Sequence, residues 1–191
     1  AENSVICLDG SWKVTDKKDG AVQQVQVPFD MGILHKKGLS QHYRYEREIQ
    51  LPKREENSRI VLKFQGINGF ATVYVDGKQV AYHENGFITW NVDITEEVCG
   101  KQTLSLAIDV DEEADIVSAY SHGGMLHSSW LYVLPEAYVN ALYLSPLFDE
   151  DMETCSLRVD IDLANMPESI DGKGKIRSAE MAAGKEKGRL A

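Results

Sequence analysis

Cysteine is scarce in this sequence, and the three cysteines present lie far apart. They are Cys7, Cys99 and Cys155, with no C-x-x-C pair and an odd total. A zinc knuckle or a disulfide framework is therefore not indicated, and at most one bridge can form. Long apolar runs are also missing. No stretch approaches 18 consecutive apolar residues, so no membrane-spanning helix is expected.

Basic residues are outnumbered by acidic ones. Twenty lysines and arginines against 30 aspartates and glutamates give a formal net charge of −10 at pH 7. That charge repels a phosphate backbone, so nucleic-acid binding is disfavoured. Residues 1–4 carry neither a basic nor an apolar segment, so we expect that a signal peptide has been removed or never existed.

The length bounds the number of domains. With 191 residues, 43% of them hydrophobic, the chain suits one domain or one domain and part of another. A domain of roughly 130–150 residues buries about two-thirds of the surface that its unfolded chain exposes, so its core can form without disulfides. The apolar residues are spread along the chain, which argues against wholesale disorder.

Alternation of apolar and polar residues dominates the chain. Between His42 and Leu51 the odd positions are apolar except for Arg47, and the even positions are polar. This pattern is typical of a strand with one buried face and one solvent-exposed face. The same pattern predicts strands over 60–64, 71–75, 104–110 and 157–163, and further strands are expected at 22–27, 88–93 and 130–134. No sustained helical repeat precedes residue 166, so the predicted class is an all-β antiparallel sandwich.

One turn is predicted from its residues alone. Asp76-Gly77 accommodates the positive φ angles that a two-residue type I′ turn requires. We therefore predict a hairpin that joins a strand at 70–75 to a strand at 78–84.

The alternation of apolar and polar residues is interrupted near Pro135, which we interpret as a domain edge. Residues 138–145 follow, then Pro146 as a stop, an acidic linker at 149–151 and the strand at 155–163. The remainder, 166–191, is a polar tail with too few apolar residues for a core, although Met181-Ala182-Ala183 could form a short helix.

Several segments, in order, resemble one known family. They are Leu8-Asp-Gly-Ser-Trp12, Val27-Pro28, Tyr43-Arg-Tyr-Glu-Arg-Glu-Ile-Gln-Leu-Pro52, the run from Val61 to Val80, Ala81-Tyr-His-Glu-Asn-Gly-Phe87, Val92-Asp-Ile-Thr95, Gly123-Gly-Met-Leu126 and Trp130-Leu-Tyr-Val-Leu-Pro135. Together they resemble the N-terminal sugar-binding domain of glycoside hydrolase family 2, the β-galactosidase, β-glucuronidase and β-mannosidase family. His127-Ser128-Ser129 stands where that family usually carries an arginine-aspartate pair.

The resemblance implies a domain organisation. Residues 1–137 would form a jelly-roll, galactose-binding-domain-like antiparallel β-sandwich. Residues 138–165 would be the first strands of an immunoglobulin-like sandwich that is truncated here, and 166–191 would be the tail. An unpaired edge in a truncated domain recruits other chains, so we expect 138–163 to be poorly ordered or paired across a dimer.

The acidic run from Asp109 to Asp115 has three interpretations. An EF-hand loop is excluded because Ala114 and Tyr120 stand where glycine and glutamate are required. Another calcium geometry remains open beside a solvated loop that closes the strand 104–110. The resemblance adds a third interpretation, in which Asp111 or Asp115 reaches the sugar in the active site of the parent enzyme.

Further carbohydrate-contacting candidates lie in loops. His83, Glu84 and Asn85 could hydrogen-bond sugar hydroxyls, while the simpler interpretation of His83 is packing on Trp90. Trp90 and Tyr120 could stack on sugar rings or join the core, whereas core packing is favoured for Trp12 and Trp130. A zinc site at His122 and His127 would need His35 or Cys99 as a further ligand, which we do not expect.

The expected function follows from the resemblance. The family's two catalytic glutamates lie in a later TIM barrel, and no Asn-Glu dipeptide, the family's acid/base signature, occurs in these residues. We expect a non-catalytic sugar-binding domain of a family 2 enzyme, without cofactor or metal. The alternatives are a free-standing carbohydrate-binding module or a structural β-sandwich without a ligand.

The expected partners follow from the same resemblance. They are a β-linked sugar, bound through the parent enzyme, the remaining domains of that enzyme and a second copy in a homo-oligomer. A periplasmic or secreted location is expected by analogy with polysaccharide-degrading enzymes.

Overall fold

A computed structural model describes residues 4–34, 41–84, 86–112, 122–150, 152, 154–165 and 181–182. The chain divides into two units, Ala1–Pro135 and Glu136–Ala191. Asn85, Asp115, Tyr120 and His35 lie outside the described residues.

The first unit consists of strands. They are β1 (Ser4–Cys7), β2 (Gly10–Asp16), β3 (Val22–Val27), β4 (Gln41–Gln50), β5 (Arg59–Phe64), β6 (Ile67–Asn68), β7 (Phe70–Val75), β8 (Lys78–His83), β9 (Trp90–Asp93), β10 (Thr103–Glu112), β11 (Gly124–Met125) and β12 (Ser129–Leu134). A single 3-10 turn, Met31–Leu34, accompanies them in the described part of this unit. The all-β class is confirmed.

The strands form two facing antiparallel sheets. One has the order β3-β2-β4-β10-β7-β8 and the other β1-β12-β5-β9, while β6 and β11 form a short ribbon. Side chains from both sheets share one core, among them Trp12, Tyr45 and Ile108 from the first sheet and Leu62 and Leu131 from the second. The first unit is thus an antiparallel β-sandwich.

Alternation decides which residues reach the core. In β10 the core-facing side chains Leu104, Leu106, Ile108 and Val110 are at most 2% exposed, and Ala107 and Asp109 are buried on the other face. In β4 the core-facing Tyr43, Tyr45 and Ile49 are buried. The predicted strands at 22–27, 42–51, 60–64, 71–75, 104–110 and 130–134 are confirmed within two residues at their ends. The strand predicted at 88–93 begins at Trp90.

The predicted hairpin is confirmed. Asp76 and Gly77 have φ angles of 50° and 82°, so both central residues of the turn are in the left-handed region. This is the backbone twist that a type I′ turn needs to connect two right-twisted strands. The turn sets the pairing of β7 with β8, in which Ala71 lies opposite His83.

Arg47, which interrupts the apolar positions of β4, has a structural role. Its Nη1 donates to the carbonyl oxygens of Leu8 at 2.7 Å and Asp9 at 3.0 Å, and its guanidinium lies 5.9 Å from the Trp12 ring centre. Trp12 Nε1 also donates to Leu8 O, at 2.8 Å. Trp12 is fully buried, which confirms its predicted core position, whereas Trp130 is only partly buried.

The second unit corrects two predictions. Strands β13 (Tyr138–Phe148) and β14 (Thr154–Ala164) pair as a hairpin, and β15 (Met181–Ala182) pairs with the start of β14. Pro146 does not stop β13, because it pairs with Leu157 inside the ladder. A proline is tolerated in an edge strand, where alternate N–H groups point away from the partner strand. Met181-Ala182 joins a sheet edge and is not helical. Assignment of this hairpin to an immunoglobulin-like domain stays a prediction.

Candidate functional site

The candidate site lies at one end of the sandwich, where several connections meet. Met31 N donates to Gly123 O and Phe29 N to Met125 O, each at 2.9 Å. These bonds tie the segment after β3 to the segment before β12. Asn68 Nδ2 donates to His122 O, which adds the β6 ribbon to the same end. We call the group of Asp30, Gln41, Glu112, His122 and Gly123 the sandwich-end cluster.

Asp30 organises this cluster. Its Oδ2 lies 2.6 Å from His122 Nδ1, and its Oδ1 accepts the N–H groups of Gly32 at 2.8 Å and Gly123 at 3.3 Å. The hydrogen bond and charge of Asp30 raise the pKa of His122. The histidine ring is largely exposed, so the pair presents a protonatable group at the surface.

Glu112 is the second carboxylic acid of the cluster and is less exposed than His122 of the Asp30–His122 pair. It ends β10 on the face of Ile108 and Val110, opposite Gln41 in β4. Its Oε2 is shielded from solvent and has no hydrogen-bond partner among the described residues. Burial, with a contribution from the Asp30 charge, raises the pKa of Glu112 to about 7. The carboxyl group therefore changes charge near neutral pH.

Gly123 allows this close packing. A Cβ at position 123 would overlap Glu112 Oε2 and lie 2.7 Å from Gln41 Oε1. A side chain at position 123 would therefore require Glu112 and Gln41 to move from these positions. The next residue, Gly124, has a φ angle of 106°, a conformation that L side chains rarely adopt.

His83 and Trp90 form a ring stack near the same end. Their ring centres are 4.5 Å apart with an interplanar angle of 13°, and Phe64 lies 4.7 Å from Trp90 at 37°. The interpretation that His83 packs on Trp90 is therefore confirmed, with His83 as the last residue of β8. Glu84 accepts a hydrogen bond from Tyr82 Oη at 3.1 Å. Asn85, the remaining candidate of this segment, lies outside the described residues.

Asp109 and Asp111 belong to β10, which continues to Glu112, so the prediction of a loop after residue 110 is wrong for 111–112. Both point to the outer face, opposite the side that Glu112 occupies. Lys17 Nζ lies 2.9 Å from Asp111 Oδ1 and 3.5 Å from Asp109 Oδ2, and Arg44 Nη1 lies 3.0 Å from Asp109 Oδ1. Burial opposes protonation of Lys17, yet these carboxylates raise its pKa. His42 Nδ1 is 2.9 Å from Asp111.

The structure thus brings together only some of the predicted site residues. His83 and Trp90 touch, while Asp111 belongs to a separate ion-pair network on the outer face. Asp115 and Tyr120 lie outside the described residues. Within the described ranges, no group of three histidines, cysteines or carboxylates is arranged to hold a metal ion. Cys7, Cys99 and Cys155 are all free thiols.

Sequence reasoning missed the sandwich-end cluster except for His122. A signal was present, because Glu112 falls at an inward position of β10, two residues after Val110. A charged residue in an otherwise apolar register indicates a partner or a functional constraint. The described segments contain no helix long and apolar enough to cross a membrane.

The two facing sheets and the polar loops at one end define a galactose-binding-domain-like β-sandwich. Residues 34–132 match the sequence family described as the glycosyl hydrolase 2 galactose-binding domain-like family. The chain belongs to this family, which confirms the resemblance seen in the sequence.

Curated relatives are glycosidases of greater length. A putative β-glucuronidase of Formosa agariphila is 25% identical over 138 residues, which cover 66% of this chain and 17% of that protein. A β-galactosidase of Thermoanaerobacter pseudethanolicus is 26% identical over 108 residues, covering 52% of this chain and 14% of that protein. The chain therefore spans less than a fifth of the length of these two relatives.

Solved structures share the fold. The crystal structure of an FMN-binding β-glucuronidase from Facaelibacterium prausnitzii L2-6 superposes with a TM-score of 0.74 at 23% identity, over 86% of this chain and 28% of that one. A β-D-glucuronidase from Dictyoglomus thermophilum gives 0.69 at 16% identity, over 85% and 33%. At these identities the likeness establishes the fold alone.

Proposed function

We propose that this chain serves as the non-catalytic sugar-binding-type domain of a family 2 glycoside hydrolase. In this proposal, hydrolysis of the β-glycosidic bond belongs to a barrel domain that the chain does not contain. The observation that carries the proposal is the family match over 34–132, which contains Glu112, His122 and Gly123 of the sandwich-end cluster. The small share of each relative that the chain covers supports it.

The carboxylates of the sandwich-end cluster are poorly suited to catalysis. A retaining glycosidase needs two carboxyl groups about 5–5.5 Å apart on either side of the scissile bond. Asp30 is held by His122 and two backbone N–H groups, and Glu112 Oε2 is packed beneath Gly123. Both oxygens of Asp30 are thus engaged and Glu112 Oε2 is shielded from solvent, so the two carboxyl groups do not match a free nucleophile and acid.

The proposed role of the cluster is to present polar groups at the mouth of the parent active site. His122 is exposed while its carboxylate partner is held from three directions, so its ring has a defined position. Such a group can donate a hydrogen bond to a sugar hydroxyl or carboxylate. β-Linked glucuronides and galactosides are the proposed substrates of the parent enzyme, because the relatives carry those names.

A free-standing carbohydrate-binding module is the second candidate. Phe87 and Tyr82, close in sequence to the stacked His83 and Trp90, are 66% and 53% exposed. Exposed aromatic rings can stack on the apolar faces of sugars. Trp90 is less suited to that role, because His83 and Phe64 already lie against its ring.

Two measurements on the purified chain test these functions. Incubation with 4-nitrophenyl β-D-glucuronide and β-D-galactoside should release no nitrophenol above a buffer control. Calorimetric titration with glucuronic acid, galactose and mannose should show no binding at millimolar concentration. Release of nitrophenol by the chain alone would overturn the non-catalytic assignment.

Millimolar sugar binding would instead support the module. That binding should be lost in Phe87→Ala and kept in Ile88→Ala, its similarly exposed neighbour. The coding sequence around this chain offers an independent check, because the leading proposal expects it to encode a barrel with two catalytic glutamates.

A further inference from the structure

At the end of β10 a carboxyl group packs against an amide oxygen. Glu112 lies opposite Gln41 in the ladder of β10 with β4, and directly opposed residues of an antiparallel pair share one face of the sheet. Gln41 is 3% exposed, so this is the inward face. A Cβ added to Gly123 would overlap Glu112 Oε2 and lie 2.7 Å from Gln41 Oε1, so the two oxygens converge on one point beneath the backbone.

The charges that act on this carboxyl group come from two other segments of the described chain. Asp30, which follows β3, disfavours the charged form of Glu112, and His122, which precedes β11, favours it. The effect of Asp30 is the larger of the two, and burial of the carboxyl group exceeds both. The surroundings of Glu112 therefore favour its neutral form.

The titratable groups of the adjacent strand β4 do not compensate for that charge. Tyr45 brings its hydroxyl group close to Gly124, and burial raises the pKa of this phenol, so it stays neutral near pH 7. His42 and Asp111 are the strand neighbours of the inward pair, and they contact each other on the outer face at 2.9 Å. They therefore lie on the side of the sheet away from Gly123.

The backbone above Glu112 is tied to the segment after β3. Gly123 O accepts a hydrogen bond from Met31 N, and Met125 O accepts one from Phe29 N, each at 2.9 Å. Gly123 itself lies directly over the shielded oxygen Glu112 Oε2. If the carboxyl group left this position for water, residues 122–125 would lose part of the surface on which they pack.

We propose that Glu112 is a proton-operated latch on residues 122–125, in which the protonated carboxyl group donates from Oε2 to Gln41 Oε1 and so supports the backbone above it. When the proton passes to solvent, the contact between the two acceptor oxygens contains no hydrogen, and a negative charge forms near Asp30. The carboxyl group then turns toward water and residues 122–125 loosen. Because the pKa of Glu112 is raised to about 7, this change falls near neutral pH.

The latch controls how firmly His122 is held. Below about pH 7, residues 122–125 are fixed and Asp30 orients the histidine ring at 2.6 Å. Above that pH the ring has a less defined position, which would weaken a hydrogen bond to a sugar. This consequence rests on the proposed function, whereas the latch itself can be measured on the chain without any sugar.

Hydrogen exchange of the full chain, followed by NMR, tests the latch. The protection factors of the Phe29 and Met31 amides, corrected for the intrinsic pH dependence of exchange, should fall roughly tenfold between pH 5.5 and pH 8.5. Leu51 N, which donates to Gln102 O at the opposite end of the sandwich, is the internal reference. Glu112→Gln supplies an amide hydrogen in place of the proton and should keep the same protection at both pH values.

A second variant separates Glu112 from His122, whose own pKa is also raised. His122→Gln should keep the roughly tenfold fall, with its midpoint at a slightly higher pH because a nearby positive charge is lost. Wild-type protection that is constant relative to Leu51, or a fall that persists in Glu112→Gln, would overturn the latch. So would a fall that disappears in His122→Gln.

Protection that rises with pH would also overturn it, because Gln41 would then present its amide hydrogens to the ionised carboxylate. None of these outcomes depends on sugar binding or on nitrophenol release, so the latch and the proposed function fail separately.

Discussion

Individual polar residues at inward positions explain much of how this sandwich is held together. Arg47 occupies a core-facing place in β4 because two backbone carbonyls and the Trp12 ring receive its guanidinium. The side chain of Asp9 links the same segment to the start of β12, since it accepts hydrogen bonds from Ser128 Oγ at 2.7 Å and from Ser129 N at 3.1 Å. Each of these side chains satisfies backbone groups that the strand ladders leave unpaired.

Loss of Arg47 should be costly. Arg47→Met keeps the aliphatic stem but leaves the Leu8 and Asp9 carbonyls without this donor, which should lower the free energy of unfolding by about 2–4 kcal/mol. Lys13→Met removes an exposed ion pair with Glu46 and should cost no more than about 1 kcal/mol. Urea unfolding followed by tryptophan fluorescence measures both. Equal losses in the two variants would contradict the role assigned to Arg47.

Glu112 should make stability depend on pH. Its pKa is raised from 4.5 to about 7 in the folded chain, so the folded state binds more protons than the unfolded state between these values. The stability linked to its proton is present below about pH 4.5 and is lost as the pH rises through about 7. Because the side chain is only half-buried, we expect this contribution to be about 1–2 kcal/mol.

Replacing Glu112 by glutamine isolates that effect. Glu112→Gln should be nearly as stable as the wild type at pH 5 and about 1–2 kcal/mol more stable at pH 8, because no charge then forms behind Gly123. Asp30, the main cause of the raised pKa of His122, is unchanged in the variant, so most of the histidine's own contribution is present in both proteins. Thermal unfolding at the two pH values measures the difference. Glu48→Gln, on the exposed side of β4, should change neither value.

At the scale of elements, the pairing register of the strands determines where the residues of the site lie. The ladder between β4 and β10 sets Glu112 opposite Gln41 and Asp111 opposite His42. A shift of one residue would exchange the inner and outer groups. The turn at Asp76-Gly77 plays the same part for β7 and β8, and it brings His83 to the end of the sandwich.

Substitutions at Gly77 test that turn. Its φ angle of 82° is unfavourable for L side chains, and an added Cβ would meet no atom within 4 Å. Gly77→Ala should therefore cost about 1–2 kcal/mol from backbone conformation alone. Gly77→Asn should cost less, because asparagine visits this region more readily. Equal losses, measured by urea unfolding, would show that the turn is not in the type I′ conformation.

At the scale of the whole molecule, the two units differ in how they reach stability. All the buried hydrophobic residues of the described chain lie between Leu8 and Val133, inside the first unit. In the second unit, Leu142, Leu144, Val159 and Ile161 are each 43–57% exposed. The first unit therefore has its own core.

A chain that ends at Pro135 tests this contrast. It should unfold in one cooperative transition within a few degrees of the first unit in the full chain, because no core residue is removed. Differential scanning calorimetry measures the transition in both chains. A non-cooperative transition would show that the first unit needs residues beyond 135.

The sequence by itself determined the class of fold, most of its strands and its family. Alternation is a local property that each strand displays in its own residues, and Asp76-Gly77 is a turn that needs no distant partner. The position of Trp12 in the core and the contact of His83 with Trp90 were also predictable, because aromatic rings in strands are usually buried.

Only the tertiary structure decided which polar groups share an environment. Asp30 is far in sequence from Glu112 and His122, and their proximity follows from sheet register and from backbone hydrogen bonds between loops. The acidic run shows the same limit. Lys17, in the turn after β2, and Arg44 of β4 supply opposite charges to Asp109 and Asp111, and β10 continues to Glu112 although the sequence predicts that the strand ends at residue 110.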